Sequence, residues 1–295
     1  MTDLVRADLA ADVQLHRMAR EIAAVTGIVG VTLGGSRARG THRADSDVDL
    51  GLYRRGAVDL TALQECADRW SLTPAPVTAP GGWGPWVDGG AWLRVPLGIN
   101  APHWPSAGAL GDDETAVPVD WIHRDLDRVH TQWQRAQHGE FAFHEQPGHP
   151  LGFLDVAYVG ELATAHVLAD SEGLLAELRS RLSYPPALSE ALVGAAWQAS
   201  FLVDGAVKTL SRPDLTWLSL CLTKAFALCA HALHARNQEW VTTEKGLVPA
   251  AGRLRGAPPR FAERCAIILS QLNSDPEELT STLALARTLV AEATQ

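Results

Sequence analysis

Gly34-Gly35-Ser36-Arg37-Ala38-Arg39-Gly40-Thr41-His42-Arg43-Ala44-Asp45-Ser46-Asp47-Val48-Asp49-Leu50 links one apolar run to the next. Upstream lies IVGVTL, β-branched and strand-like; downstream, Val48, Leu50 and Leu52 alternate with polar or small residues in DVDLGLY. The pattern is strand, glycine turn, polar loop, strand. In an extended chain residues i and i+2 share a face, so Asp47 and Asp49 project together while Val48 and Leu50 face a core. Two carboxylates side by side repel unless a cation joins them. An oxygen-only pair suits Mg²⁺, which typically takes one or two carboxylates together with substrate phosphates. Gly35 lets backbone N–H groups approach phosphate oxygens, and the Ser36 hydroxyl adds a donor, so the turn reads as a cradle for β and γ phosphates. It is no Walker A loop, because Gly40 is followed by Thr41-His42 rather than Lys-Ser/Thr.

Outward from this stretch, apolar residues at helical spacing (Leu9, Val13, Leu15, Met18, Ile22, Val25) predict a helix over about 8–25. A helix is expected at about 59–71, followed by the irregular stretch TPAPVTAPGGWGPWVDGGAW. WLRV and AVPVDWI read as further strands and RDLDRVHTQWQRAQ as a helix. The mixed part is expected to end near residue 145. Beyond FHEQPGHPLG the chain turns Ala/Leu-rich, with helices expected over about 153–170, 187–210, 214–236, 258–272 and 276–293 and no strand. The expected fold class is α+β: domain 1–145 with a small mixed sheet, and domain 146–295 an α-helical bundle.

Composition narrows the partners. Of 295 residues, 46% are hydrophobic and 20% charged, which is ordinary for a folded globular chain. The first 25 residues carry charges every few positions and so form neither a signal-peptide core nor a membrane span, which makes a cytoplasmic location and no membrane partner the expectation. The four cysteines (Cys66, Cys221, Cys229, Cys265) form no C-x-x-C pair and read as reduced and buried. A formal charge of −9 disfavours a long nucleic-acid ligand, although tRNA is not excluded, and suits a neutral or cationic small substrate.

Gly35-Ser36 followed by Ser46-Asp47-Val48-Asp49 resembles the signature of the polymerase-β-like nucleotidyltransferase superfamily, a Gly-Ser turn, a short spacer and an Asp-x-Asp strand. The resemblance implies a third carboxylate on a later strand, and Asp120 in VPVDWIHRDLDRV is the candidate, with Asp125 and Asp127 as competitors better placed for surface or capping roles. It further implies a two-metal, in-line displacement in which Asp47 and Asp49 hold Mg²⁺ and Asp120 ligates the second metal or takes the acceptor proton, with ATP or another nucleoside triphosphate as co-substrate. Within the superfamily the chain looks most like the aminoglycoside adenylyltransferases, which carry a C-terminal helical domain. From that likeness Lys245 in ALHARNQEWVTTEKGLVPAAG, and Lys224 one helix earlier, are carried over as nucleotide contacts. The implied activity is transfer of a nucleoside monophosphate, AMP by likeness, to a hydroxyl of a small polar acceptor such as an aminoglycoside-like antibiotic; the alternative is a toxin-like enzyme acting on tRNA or a protein.

Ser46, directly ahead of Asp47, joins the nucleotide-binding candidates, as does Arg39 among the loop arginines Arg37, Arg39 and Arg43. His231 and His234, three apart on a helix, have metal-ligand spacing but no acidic partner of clear spacing, and read as core or solvated residues. Trp83, Trp86, Trp92 and Trp104, four of ten tryptophans, crowd the irregular stretches, where packing or stacking on a ring are both open.

Overall fold

The computed structural model describes residues 2–43, 46–97 and 116–295, with side chains described from Val13 onward. Trp104 and residues 98–115 of the connection between the strands WLRV and AVPVDWI lie outside the described residues. The chain divides into two compact units: residues 1–133 with 144–183, and residues 134–143 with 184–295.

The first unit is built on a five-stranded mixed sheet in the order β3-β4-β2-β1-β7. Its strands are β1 (Ile28–Leu33), β2 (Val48–Arg54), β3 (Gly90–Val95), β4 (Val117–Asp125) and β7 (His166–Ala169); β5 (Phe143–His144) and β6 (Phe153–Leu154) are two residues each. β2 and β4 run parallel, and the remaining pairs in the five-stranded sheet are antiparallel. Helices α1 (Thr2–Ala23), α2 (Gly35–Ala38) and α3 (Leu60–Trp70) precede β3, α4 (Leu126–Gln137) follows β4, and α5 (Ala157–Thr164) and α6 (Leu174–Arg181) flank β7.

Strand alternation sorts the sheet into two faces. Val48, Leu50 and Leu52 of β2, Ala91, Leu93 and Val95 of β3 and Val117, Val119 and Trp121 of β4 are buried in one cluster with Leu15, Met18 and Ile22 of α1 and Leu63, Cys66 and Ala67 of α3. Asp59 fixes the start of α3, its carboxylate accepting from Ala62 N–H at 3.0 Å. Asp49 and Asp120 therefore lie on the opposite face.

The second unit is helical: α7 (Pro186–Ala195), α8 (Trp197–Val207), α9 (Leu215–Arg236), α10 (Leu247–Ala251), α11 (Phe261–Ser270) and α12 (Pro276–Thr294). Asp214 caps α9 by accepting from Trp217 N–H at 3.1 Å, and Asp275 with Pro276 opens α12. Residues from Leu218 to Ala235 bury most of α9 against α7, α8, α10 and α12. By length and hydropathy α9 could cross a bilayer, but 78% of its apolar window is buried within the protein, as expected of the central helix of a bundle.

Two helices expected from composition take other forms. The segment expected as a helix over 153–170 is α5 followed by strand β7, because HVLA pairs antiparallel with β1. That pairing keeps residues 146–183 with the sheet, whereas the sequence pattern placed the domain boundary at 145. The helix expected over 187–210 is two, α7 and α8, meeting at Ala196.

Two buried histidines give the fold a pH dependence. Burial, reinforced by the Arg54 charge, lowers the pKa of His123 to about 4. Burial, with the charges of His234 and Lys224, lowers that of His231 to about 3. Both are neutral in the folded chain and titrate near 6.5 when unfolded, so between about pH 6.5 and 4 the unfolded state binds more protons and each group removes on the order of 1.4 kcal/mol of stability per pH unit. The melting temperature should fall across that window on acidification. His231→Leu should flatten the fall in a melting series from pH 7 to 4, and an unchanged slope would contradict the neutral buried histidine.

Candidate active site

The glycine turn is fastened to the first residues of β2. Gly34 N–H donates to Asp49 O at 2.8 Å, so the turn after β1 is held beside the Asp-x-Asp strand. Gly35 has φ +60, and a Cβ there would lie 1.7 Å from Asp49 Oδ2. Only glycine permits that approach. Ser36 follows within the one-turn helix α2, and its carbonyl accepts from Thr41 N–H at 3.0 Å. Arg39 is the exposed C-cap of that turn. Ser46 is half-buried, and its hydroxyl accepts from Arg43 N–H at 2.9 Å, closing the loop just ahead of Asp47.

The parallel pairing of β2 with β4 sets Val48 beside Val119 and Asp49 beside Asp120. Asp47, one alternation earlier, joins them: each of Asp47, Asp49 and Asp120 is half-buried and offers an oxygen, and these oxygens all lie within 4.8 Å of one another. Among the described residues this is the one cluster of His, Cys, Asp or Glu able to hold a metal ion. Two like charges about 4 Å apart repel by about 4 kcal/mol at the effective dielectric constant of about 20 typical near a protein surface. Three carboxylate oxygens in this arrangement suit a hard divalent cation such as Mg²⁺, which reverses the sign of the interaction. Asp125 and Asp127 stand apart from the cluster. Asp125 Oδ1 caps α4, accepting from Asp127 N–H at 3.0 Å and Arg128 N–H at 3.2 Å, while its other oxygen pairs with Arg54 at 3.0 Å.

Farther along the same face, buried charge replaces open space. Arg124 is 5% exposed, pairs with Glu161 of α5 through two nitrogens, and lies over the Tyr158 ring at 5.2 Å. Burial pushes the Tyr158 hydroxyl up to about 12, and it donates to Trp86 O at 2.8 Å. Buried Asp88 pairs with Arg54 at 3.3 Å and Arg128 at 3.4 Å, tying the irregular Trp-rich excursion to β2 and α4. Burial raises the pKa of Asp88, and Arg128 and Arg54 pull it back.

The other sequence candidates belong to the second unit. Lys224 of α9 is half-buried, its ammonium 4.2 Å from the centroid of the Phe143 ring, and burial lowers its pKa against the opposing pull of Glu244. Lys245 is exposed in the turn before α10, where its N–H donates to Thr243 Oγ1 at 3.2 Å. His231 and His234 are buried in α9, His231 edge-on to Phe143. All four cysteines are buried and free.

Two positioning residues escaped the sequence pattern. Arg37 donates from Nε to Asp47 O at 2.9 Å and from Nη2 to Ser46 O at 2.7 Å, holding the backbone that carries Asp47. His166 of β7 bonds Ala38 O at 3.0 Å and fastens the turn from the other side. Arg37 was visible in the loop only as one of three basic residues, and His166 carried no signal because its strand was read as helix.

The geometry sets apart two glycines of similar backbone. Gly40, at φ +66, has nothing within 4 Å of its virtual Cβ, whereas that of Gly35 overlaps the Asp49 carboxylate. Gly40→Ala should carry only the backbone penalty of about 1–3 kcal/mol. Gly35→Ala should in addition displace Asp49 and weaken Mg²⁺ binding by about ten-fold or more, since a shift of an ångström in a ligand spoils coordination. Calorimetric Mg²⁺ titration with melting curves checks this, and equal Mg²⁺ affinity in the two variants would contradict the close approach.

One family model covers the segment that carries the turn and the Asp-x-Asp strand. Residues 16–69, which run from the last third of α1 through β1, the turn and β2 to most of α3, match the family model described as nucleotidyltransferase domain. No curated protein matches. Among solved structures, a nucleotidyltransferase-like protein from Exiguobacterium sibiricum 255-15 is similar over 94% of this chain and 74% of its own, with 10% identity and a TM-score of 0.42. That likeness is loose, and the site rests on its own geometry. The chain carries a nucleotidyltransferase domain around its Gly-Ser turn and Asp-x-Asp strand, and is an enzyme of the nucleotidyltransferase type.

Proposed function

We propose that the protein transfers a nucleoside monophosphate, AMP from ATP, to a hydroxyl of a small polar acceptor, with Asp47, Asp49 and Asp120 as the Mg²⁺ ligands. The observation that carries this reading is the pairing of Asp49 with Asp120 beside a turn whose Gly35 touches Asp49. Bound there, Mg²⁺ would neutralise phosphate charge and polarise the phosphoryl oxygens.

The chain's own residues divide the remaining work. Backbone N–H groups of the turn and the Ser36 hydroxyl donate to the β and γ phosphates. Asp120 accepts the proton of the acceptor hydroxyl as its oxygen bonds to the α-phosphorus, and the bond from the α-phosphorus to the bridging oxygen breaks, releasing pyrophosphate. Arg37 touches the backbone rather than the substrate and is a positioning residue. Arg39, Ser46, Lys224 and Lys245 are proposed to add contacts to the nucleotide. An aminoglycoside-like acceptor rests on the sequence likeness and on the charge of −9, which attracts cationic substrates and repels RNA.

The test follows label from the α-phosphate of each nucleoside triphosphate in the presence of Mg²⁺, against a panel of aminoglycosides, tRNA and cell extract. Transfer of the α-label with release of pyrophosphate is expected, while release of the γ-phosphate alone would overturn the reading. Asp47→Asn and Asp49→Asn should abolish transfer and leave the melting temperature near that of the parent, since half-buried ligands contribute function rather than core packing. Asp120→Asn should cost about 10²–10⁴ in turnover; ATP and Mg²⁺ affinity that persists assigns Asp120 the base role, and affinity lost along with turnover assigns it the second metal. Asp127→Asn, outside the cluster, should leave turnover unchanged; loss there with full activity in Asp120→Asn would move the third carboxylate elsewhere.

A further inference from the structure

We propose that the stacked indoles of Trp83 and Trp92 form the acceptor platform, with the ring face of a hydroxyl-bearing acceptor resting on Trp92 beside Asp120. The inference rests on the nucleotidyl-transfer reading and adds the side from which the hydroxyl arrives. It begins from register. β3 pairs antiparallel with β4 so that Trp92 stands directly opposite Asp120, and residues opposite one another share a face. Ala91 and Leu93 turn into the core, which leaves Trp92 on the carboxylate face, 66% exposed.

A large exposed indole beside Asp120 makes little contribution to the core, yet it is held in place. Trp83 stacks on it with ring centroids 4.6 Å apart and planes 10° from parallel. Trp83 is fixed in turn by Gln146, a buried side chain that donates to Trp83 O at 2.8 Å and accepts from Trp86 N–H at 2.9 Å and Val87 N–H at 3.1 Å. Gly84, at φ +119, lets that amide in, since a Cβ there would come within 2.8 Å of it. One indole face is covered by its partner, and the Gln146 hydrogen bonds fix the backbone that carries Trp83, an arrangement that reduces the entropic cost of stacking a ring on the pair.

Sheet order then selects the occupant. Across the sheet run the turn after β1, Asp49 on β2, Asp120 on β4 and Trp92 on β3, a line of about 14 Å at the usual strand spacing of about 4.8 Å. In an in-line displacement the attacking hydroxyl and the leaving pyrophosphate lie on opposite sides of the α-phosphorus. With the β and γ phosphates at the Gly35-Ser36 end, the acceptor lies at the Trp92 end. The indole face attracts cations, so the fitting acceptor is a ring compound carrying ammonium groups that presents its hydroxyl toward Asp120.

The experiment uses the full-length chain labelled with 5-fluorotryptophan, the ¹⁹F resonances of Trp83 and Trp92 being assigned with Trp83→Phe and Trp92→Phe. Mg²⁺ with α,β-methylene ATP is added first, its binding followed by calorimetry, and then kanamycin A as a cationic ring probe or maltotriose as a neutral one. The nucleotide analogue should bind and leave the Trp92 signal in place, and kanamycin A should shift it saturably and more tightly than maltotriose. Trp92→Ala should weaken kanamycin A binding by about ten-fold or more, with Trp92→Phe between it and the parent, while analogue affinity stays within about two-fold. A saturable Trp92 shift with the analogue alone would make the platform a nucleobase site and overturn the inference. So would a Trp92 signal unmoved by both ring probes while the analogue binds. No binding of the analogue would instead overturn the transfer reading on which the platform depends.

Discussion

The pairing of Asp49 with Asp120 across β2 and β4 is the constraint around which the rest of the first unit is arranged. Two parallel strands held in register by Val48 against Val119 force two carboxylates side by side, and Asp47 adds a third from the next position on the same face. Without a counter-charge the arrangement is costly. The fold maintains it because the opposite faces of the same strands are committed to the core: Val48, Leu50, Val119 and Trp121 are fully buried, each worth roughly 1.5–3 kcal/mol of apolar burial, and a register slip by one residue would turn them outward. Hydrophobic burial thus holds in place a group of charges that would otherwise separate.

The surroundings bear on the same point. Gly34 and Gly35 bring the turn onto Asp49, Arg37 clamps the carbonyls of Ser46 and Asp47, and His166 reaches the turn from β7. Beyond the carboxylates stand two ion-paired groups, Arg124 with Glu161 and buried Asp88 with Arg54 and Arg128, and the Tyr158 hydroxyl donates to Trp86 O. Charge on this face is therefore of two kinds: buried ion pairs such as Arg124 with Glu161, and the three half-buried aspartates whose oxygens could jointly hold a metal ion. That contrast marks the chemical end of the sheet.

The sequence carried this selectively. The Gly-Ser turn and Asp-x-Asp strand were legible because each imposes a local requirement, an unhindered backbone and a two-residue alternation, that a few letters express. Asp120 could be picked out by its alternation with Val117 and Val119, although its partnership with Asp49 needed the resemblance. Strand β7 was hidden, since HVLA is four residues long and its partner β1 lies more than a hundred positions away. The break at Ala196 was hidden too, because Ala/Leu-rich sequence suits one helix or two. Trp92 read as one tryptophan in an irregular stretch; only the β3–β4 register shows that it faces Asp120. Arg37 and Gln146 act through backbone carbonyls and amides, and such contacts leave no residue pattern.

If the three carboxylates hold a divalent cation jointly with a triphosphate, cation and nucleotide must bind with a positive coupling that is the same from either side. The direct measurement is Mn²⁺ binding, followed by electron paramagnetic resonance of the free ion, with and without saturating α,β-methylene ATP, in the parent and in Asp49→Asn. The account predicts that the analogue raises Mn²⁺ affinity beyond the affinity of Mn²⁺ for the analogue in solution by about five-fold or more in the parent, and that Asp49→Asn removes the gain. Mn²⁺ affinity in the parent unaffected by the nucleotide, or a gain that survives in Asp49→Asn, would contradict it.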